Sequence, residues 1–264
     1  MSTPFLQRSS RVRAKDFSSD WLPSRLKEIN EGLRLHRKLW EFAVIQQVYL
    51  ETIGSGGSAI GFGCGREPIP AWLANRACRL LATDLAVEDA KDWTPSGQHS
   101  SAFADLPFEG ICDEARLREL VTFAPVNMNE IPDHLLRGEF DFTWSCGSFE
   151  HIGGIEAGLQ FFLQQMRCLK PGGVAAHTTE FNFANDANTI NALNLVLFRR
   201  RDLELLGQML ANQGDTMWPL DLTPGQLPAD LHVDPYPYSG EYHLSLIIND
   251  HVSTSVLLVA RRGK

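Results

Sequence analysis

Apolar and polar positions along the chain follow two periods. From Asn30 to Thr52 the period is helical: Leu35, Leu39, Phe42 and Tyr49 form one stripe, and Trp40, Val44 and Val48 the next. So broad an apolar surface needs a cover, supplied by the rest of the chain or by a second copy. Gly54-Ser-Gly-Gly57 ends this helix. Short apolar runs then alternate with helical stretches. Ser58 to Phe62 predicts a buried strand, followed by a glycine-rich turn and a helix through Ala74. Cys78 to Thr83 predicts a second strand ending at Asp84, and Val121 to Val126 a third, with a helix before it from Asp113. Phe140 to Ser145 predicts a fourth. Ile155, Leu159, Phe162, Met166 and Leu169 recur at alternating intervals of four and three, an amphipathic helix that Lys170-Pro-Gly-Gly173 should end. Gly173 to Thr178 is the fifth predicted strand. Strand–helix alternation of this kind implies a parallel sheet with helices on both faces.

The rhythm changes at both ends. The first sixteen or so residues are polar and predict a loosely ordered arm. Towards the C-terminus a helix near Arg201 to Ala211 leads to a strand around Trp218 to Leu222 and a proline-rich stretch, Thr223 to Gly240. Leu244 to Ile248 and Val252 to Ala260 are apolar runs split only by Asn249-Asp250-His251. So short a connection predicts an antiparallel edge.

A length of 264 residues allows one large domain, or one domain with an extension. The chain carries 24 Lys and Arg against 32 Asp and Glu, a net charge of −8, which argues against a nucleic-acid partner. Arg8, Arg11, Arg13 and Lys15 form a small cluster that reads as a solvated arm. The cysteines, Cys64, Cys78, Cys112, Cys146 and Cys168, are odd in number and include no CxxC pair, as expected of reduced thiols in a cytoplasmic protein. The N-terminus has no apolar core of a secretory signal, and no apolar run approaches the ~18 residues of a membrane span.

Candidate chemistry begins with Gly61-Phe-Gly63-Cys-Gly65-Arg-Glu67-Pro68, between the first strand and the first helix after it. Glycines there admit a ligand close to the backbone. Asp84 ends the next strand, where a carboxylate can accept two hydrogen bonds from a ribose. Alone, the pair fits any nucleotide-binding α/β domain, or merely a tight turn and a capping Asp. It is not the dinucleotide fingerprint GxGxxG. With Ser145-Cys-Gly-Ser-Phe-Glu-His151 after the fourth strand and Cys168-Leu-Lys-Pro-Gly-Gly173 before the fifth, it resembles class I S-adenosylmethionine-dependent methyltransferases, over Ser58 to about Asn185. The run His243 to Arg262 resembles that family's last, antiparallel strand. Phe149-Glu-His-Ile-Gly together with His177-Thr-Thr-Glu-Phe-Asn182 resembles a bacterial branch associated with glycan methylation.

The resemblance implies a Rossmann-like α/β fold with a mostly parallel seven-stranded sheet and an antiparallel last strand. It implies a methyltransferase domain over residues 55–264 and an N-terminal helical extension, 1–54, that either lids the site or pairs two subunits as a homodimer. For S-adenosylmethionine it implies that Gly61, Gly63 and Gly65 meet the methionine end, Asp84 the ribose, Asn127 and Met128 the adenine, and the Cys146 carbonyl the amino group. Glu67 replaces the family's third glycine, so it would hold the methionine amine or an Arg. Gly61 stands where an acidic residue is common.

On the acceptor side a hydroxyl has a high pKa and needs a base or a metal to lose its proton. Glu150 and His151 follow the fourth strand and are the expected catalytic pair; they could equally cap the next helix and line the pocket. Glu150, His151, His177 and Glu180 could together hold Mg2+ or another divalent cation, although Gly147 stands where related metal sites have a Glu. His177 could instead be a core histidine, His36 reads as structural, and His99 and His134 show no evident partner. Tyr236, Tyr238 and Tyr242 among polar residues, with Trp93 and Trp144, are expected either to stack on a sugar or to anchor an ordinary loop. The expected activity is O-methylation of a sugar or glycan hydroxyl. The alternatives are N- or O-methylation of a small non-sugar metabolite, a cofactor-binding protein without catalysis, and an NAD-dependent oxidoreductase, which Pro68 and the antiparallel edge disfavour.

Overall fold

The computed structural model describes residues 8–90 and 99–264. At its centre lie β2 (Ser58–Gly61), β3 (Arg79–Asp84), β4 (Val121–Pro125), β5 (Phe140–Cys146) and β6 (Leu169–Asn182), all parallel and ordered β6-β5-β2-β3-β4. The last strand, β12 (His251–Arg261), runs antiparallel to β6 from Ser253↔Asn182 to Arg261↔Val174. This is the Rossmann-like α/β arrangement that the strand–helix alternation predicts. β11 (Ser245–Ile248) pairs antiparallel with β12. The left-handed Asn249 and Asp250, φ 44° and 64°, close that hairpin.

The sheet is wider than the expected seven strands: ten strands join it among the described residues. One addition overturns the expected loose arm from residue 8 onward, the first seven residues lying outside the described ones. β1 (Ser9–Arg11) pairs antiparallel with β12 and parallel with the short β10 (Leu220–Asp221). Ser9 fixes the edge by accepting from Val259 N–H at 3.0 Å. The basic cluster is only partly solvated: Lys15 is exposed, but Arg11 and Arg13 are buried, and Arg13 and Arg8 both pair with Asp221, at 2.6 and 2.9 Å. Backbone pairing, not apolar periodicity, makes Ser-Ser-Arg a strand. A second difference lies at Lys170-Pro-Gly-Gly173. Helix α5 (Ile155–Gln165) and one 3-10 turn already end by Cys168, and the breakers sit within β6. Phe140 pairs with Leu169 and Phe142 with Val174, so residues 170–173 bulge from the ladder.

Strand alternation divides the core into two faces. Ala59, Phe142, Trp144 and Leu257 point to one, under α2 (Arg37–Thr52) and α3 (Ile69–Asn75). Trp40, Val44, Val48 and Tyr49 of α2 are fully buried there, with Tyr49 edge-on to Phe142 and Trp72 at 5.5 and 5.7 Å. Ile60, Ala175 and Leu258 point to the other face, under α5 and α6 (Arg200–Asn212). Each large side chain buried this way contributes ~1.5–3 kcal/mol. Trp144 is among them, so it is core and not the aromatic surface anticipated for it; Trp93 lies outside the described residues.

Gly61 is a packing glycine. A Cβ there would lie 2.3 Å from the Trp144 ring and 2.5 Å from Cys64 Sγ. Gly61→Ala is expected to lose roughly 1–3 kcal/mol or more in urea unfolding, because Trp144 has no room to retreat. Stability within 0.5 kcal/mol of wild type, roughly the scatter of a neutral surface change, would contradict this packing.

Candidate active site

The C-terminal ends of β2, β3, β4 and β5 open into a cavity of about 620 Å³. This is where an open α/β sheet places its ligand. Each strand contributes the residues just beyond its end: Gly63 to Glu67, Asp84 and Leu85, Val126 to Asn129, and Cys146 to Ser148. Two glycines make the first turn possible, with φ of +57° at Gly63 and +51° at Gly65. A Cβ on Gly63 would also lie 2.8 Å from Ser148. Asp84 ties the turn down: its Oδ2 accepts from the N–H of Gly65 and of Ser100, both at 3.0 Å, and its Oδ1 from Leu85 N–H at 2.8 Å. Glu67 is buried and accepts from Trp144 Nε1 at 2.7 Å. Burial pushes its pKa up to about 7.

Helix α2 lays a charged turn across the same opening. Lys38 Nζ donates to Glu41 at 2.9 Å and to the Cys146 carbonyl at 3.0 Å. Arg37 pairs with Glu180, which also accepts from Ser253. Glu41 accepts from Ser255 and from Thr178. Burial opposes its charge, but Lys38 and Arg37 outweigh it and hold its pKa below the usual carboxylate range. Two cations thus balance two carboxylates, and Glu150 is a third. It is 1% exposed, and burial, followed by the charges of Glu180 and Glu41, pushes its pKa up to about 8. At neutral pH it keeps its proton, with Thr179 Oγ1 3.0 Å away.

His151 stands beside this cluster and lines the cavity. Its Nδ1 lies 2.7 Å from the Asn194 carbonyl. A carbonyl only accepts, so Nδ1 carries the proton and Nε2 the lone pair. Nε2 is 3.9 Å from Glu150 Oε1. Burial lowers the His151 pKa, favouring the neutral, basic ring.

Residues 60–177 match the family model described as a methyltransferase domain. That match covers somewhat less than half of the chain, and over it the chain is similar to methyltransferase domains. Similar solved structures include Burkholderia thailandensis 1,6-didemethyltoxoflavin-N1-methyltransferase with S-adenosylhomocysteine, 16% identical with a TM-score of 0.50, covering 98% of this chain and 97% of that one. Geranyl diphosphate C-methyltransferase from Streptomyces coelicolor, with Mg2+, geranyl-S-thiolodiphosphate and S-adenosylhomocysteine, is 17% identical with a TM-score of 0.52, covering 97% and 86%. The (4+2)-cyclase SpnF is 16% identical with a TM-score of 0.53, covering 92% and 93%. At these identities the likeness is one of fold. No curated protein matches the chain by sequence.

Within the matched residues Gly63, Gly65, Glu67, Asp84, Asn127, Met128 and Cys146 line one cavity, together with His151. Gly61 does not line it. Glu150 and Glu180 are buried and do not line it, and Glu180 pairs with Arg37. The expected ion-binding set does not converge. His177 and Glu180 are three residues apart on one strand, so their side chains leave opposite faces of the sheet. His177 is fully buried among Phe149, Phe161 and Phe162, with Nδ1 2.8 Å from Ser145 Oγ, and burial lowers its pKa to about 3. Among the described residues no three His, Cys, Asp or Glu are grouped to hold a metal. A side chain at Gly147 would meet Lys38 Nζ at 3.0 Å and Glu150 at 3.2 Å, so the ammonium of Lys38 sits where the related Glu would project.

Several cavity residues escaped the sequence reading. Lys38 and Phe42 come from α2, Leu193 from the turn between β7 (Asn191–Ala192) and β8 (Leu195–Val196), and His99 donates from Nε2 to the Leu85 carbonyl at 2.7 Å. Glu41 was the available sign: a carboxylate amid the apolar residues of α2. His36 caps α2, accepting from Lys38 N–H at 3.1 Å. Tyr236, Tyr238 and Tyr242 are exposed and lie outside the cavity lining. All five cysteines are free thiols, and no helix among the described residues is long and apolar enough to cross a membrane.

Glu150 makes the cluster testable through pH. A carboxyl with a raised folded pKa binds a proton that the unfolded chain has released. It therefore stabilises most below its unfolded pKa, and that stability drains away as pH rises to about 8. Glu150→Gln keeps the shape and removes the titration. In urea unfolding it should match or fall below wild type at pH 5 and exceed it at pH 9. Parallel pH profiles for the two proteins would contradict a proton on Glu150.

Proposed function

We propose that the protein transfers a methyl group from S-adenosylmethionine to a hydroxyl, with His151 as the base. When bound, the cofactor supplies an electrophilic methyl on its sulfonium. The cavity fits it: the glycine turn brings backbone close, Asp84 ends β3 at the ribose position, and Asn127 and Met128 follow β4 at the adenine position. The Cys146 carbonyl and Glu67 are the acceptors for its ammonium group, and Lys38 is the cation available to its carboxylate. Asp84 spends three lone pairs on backbone N–H groups, so it holds the turn as well as the ribose.

The observation that carries the hydroxyl reading is the state of His151. Its Nδ1–H is anchored on the Asn194 carbonyl, which leaves the ring lone pair on Nε2, and the side chain lines the cavity wall. That nitrogen takes the acceptor proton as the new carbon–oxygen bond forms, and Asn194 stabilises the resulting cation. Neutral Glu150 adds no charge that would hold the ring protonated beforehand. No step requires a metal, since Lys38 and Arg37 already balance the carboxylates.

The acceptor we propose is a sugar or glycan hydroxyl, supported by the glycan-associated resemblance at 149–153 and 177–182. A second reading is a small non-sugar metabolite. It is favoured by the apolar mouth that Phe42, Ile152 and Leu193 form beside His151. The N-terminal segment 1–54 acts in either case as a fixed lid carrying Lys38; a homodimer and a cytoplasmic location complete the proposal.

An acceptor panel with methyl-labelled cofactor, holding both saccharides and small hydroxylated metabolites, tests the transfer. S-adenosylhomocysteine should raise Tm. His151→Ala should lower kcat by roughly 10²–10⁴ with S-adenosylhomocysteine affinity unchanged. EDTA should leave activity intact. Near-normal kcat in His151→Ala, with labelling only of amines, would replace this reading with N-methylation.

A further inference from the structure

A second cavity, of about 200 Å³, shares no residue with the first. It lies where β1, the end of β6 and the start of α6 meet, lined by Arg11, Asn182, Phe183, Asp186 and Arg200 among others. In the sheet β1 stands three strands from β5, ~14 Å at ~4.8 Å per strand, so this is a separate place on the protein.

Its buried cation is Arg11, which is 3% exposed. The side chain lies over the Phe183 ring, 4.2 Å from its centre. Nε is buried with no hydrogen-bond partner, and Asp230 acts on the charge without forming an ion pair with it. Its neighbours Arg8 and Arg13 share Asp221 instead. Burial lowers the Arg11 pKa only to about 10, so the guanidinium is charged at neutral pH. Arg200 brings a second guanidinium to the wall, held loosely by Glu204 at 3.7 Å. Asp186 is the one carboxylate in the lining, and its Oδ1 accepts from Arg201 N–H at 3.2 Å. Two guanidiniums thus face one carboxylate, next to the positive end of the 13-residue helix α6.

We propose that this cavity binds an oxyanion of carboxylate or phosphate size, with Arg11 at its base and Arg200 at its wall. A guanidinium presents forked N–H donors that match the oxygens of these groups. With Phe183 covering one face of Arg11, donation runs from the edge of the plane. The anion is either a free ion or the charged end of a larger acceptor, and it gives Arg11 the direct ion pair that Asp230, acting only at a distance, does not.

The test is thermal unfolding of the full chain in inorganic phosphate against sodium chloride at matched ionic strength, without cofactor. Phosphate should raise Tm saturably and chloride should not. Arg11→Met, which keeps the stem on Phe183, should abolish the response. Arg200→Ala, at an exposed side chain, should weaken phosphate at least fivefold. Asp186→Asn should tighten it, a gain that a purely structural role for these residues would not produce. If Arg11→Met does not fold, Arg200→Ala decides the matter. Equal shifts from chloride and phosphate, or phosphate affinity within twofold of wild type in folded Arg200→Ala, overturn the proposal. The source of the anion is read separately: phosphate competing with an acidic acceptor, and raising its KM only when Arg200 is present, identifies the acceptor's own charge. Stabilisation with no effect on KM identifies a free ion.

Discussion

The candidate site depends on one electrostatic balance at the cavity edge, the pairing of Arg37 and Lys38 on α2 with the buried Glu180 and Glu41. Removing either cation leaves a buried carboxylate without compensation; breaking a fully buried pair typically costs ~3–5 kcal/mol, and solvent at the half-exposed Lys38 reduces that figure for its pair with Glu41. That penalty fixes α2 in place over the sheet. It also sets the remaining protonation states. Since the two cations are already matched, Glu150 cannot ionise cheaply and keeps its proton, and His151 next to it stays neutral. The apolar side of α2, through Trp40, Val44 and Tyr49, supplies the packing that lets so many charges be buried together.

The same helix explains why the N-terminal segment is more than an appendage. Its apolar stripe joins the core formed by Phe142 and Trp72, and its first turn reaches the cavity through Lys38. The partner strands answer in kind. Thr178 and Ser255, on β6 and β12, donate to Glu41, so the antiparallel last strand also shapes the chemistry. Fold and site are coupled through hydrogen bonds that cross from helix to sheet.

Much of this was legible in the sequence, and the gaps have physical causes. The central strands were readable because fully buried parallel strands are continuous apolar runs, and the glycine turn because only glycine takes φ near +50° there without strain. β1 was hidden because Ser-Ser-Arg has no apolar period; the unpaired edge of β12 recruits it. The expected metal set failed on strand parity. His177 and Glu180 are near in sequence, but an odd separation sends them to opposite faces, a constraint that the spacing already contained. Lys38 was out of reach for another reason. Nothing in the local pattern of α2 says which residue of the sheet's far end its first turn will meet.

The account's central claim is that burial beside the balanced charges leaves His151 neutral with its proton on Nδ1. Ring nitrogen chemical shifts of 15N-labelled His151, followed through pH 6–8, test it most directly. The account predicts one neutral tautomer throughout, protonated on Nδ1 against the Asn194 carbonyl. A ring protonated on both nitrogens at pH 7, or a proton resident on Nε2, would contradict it.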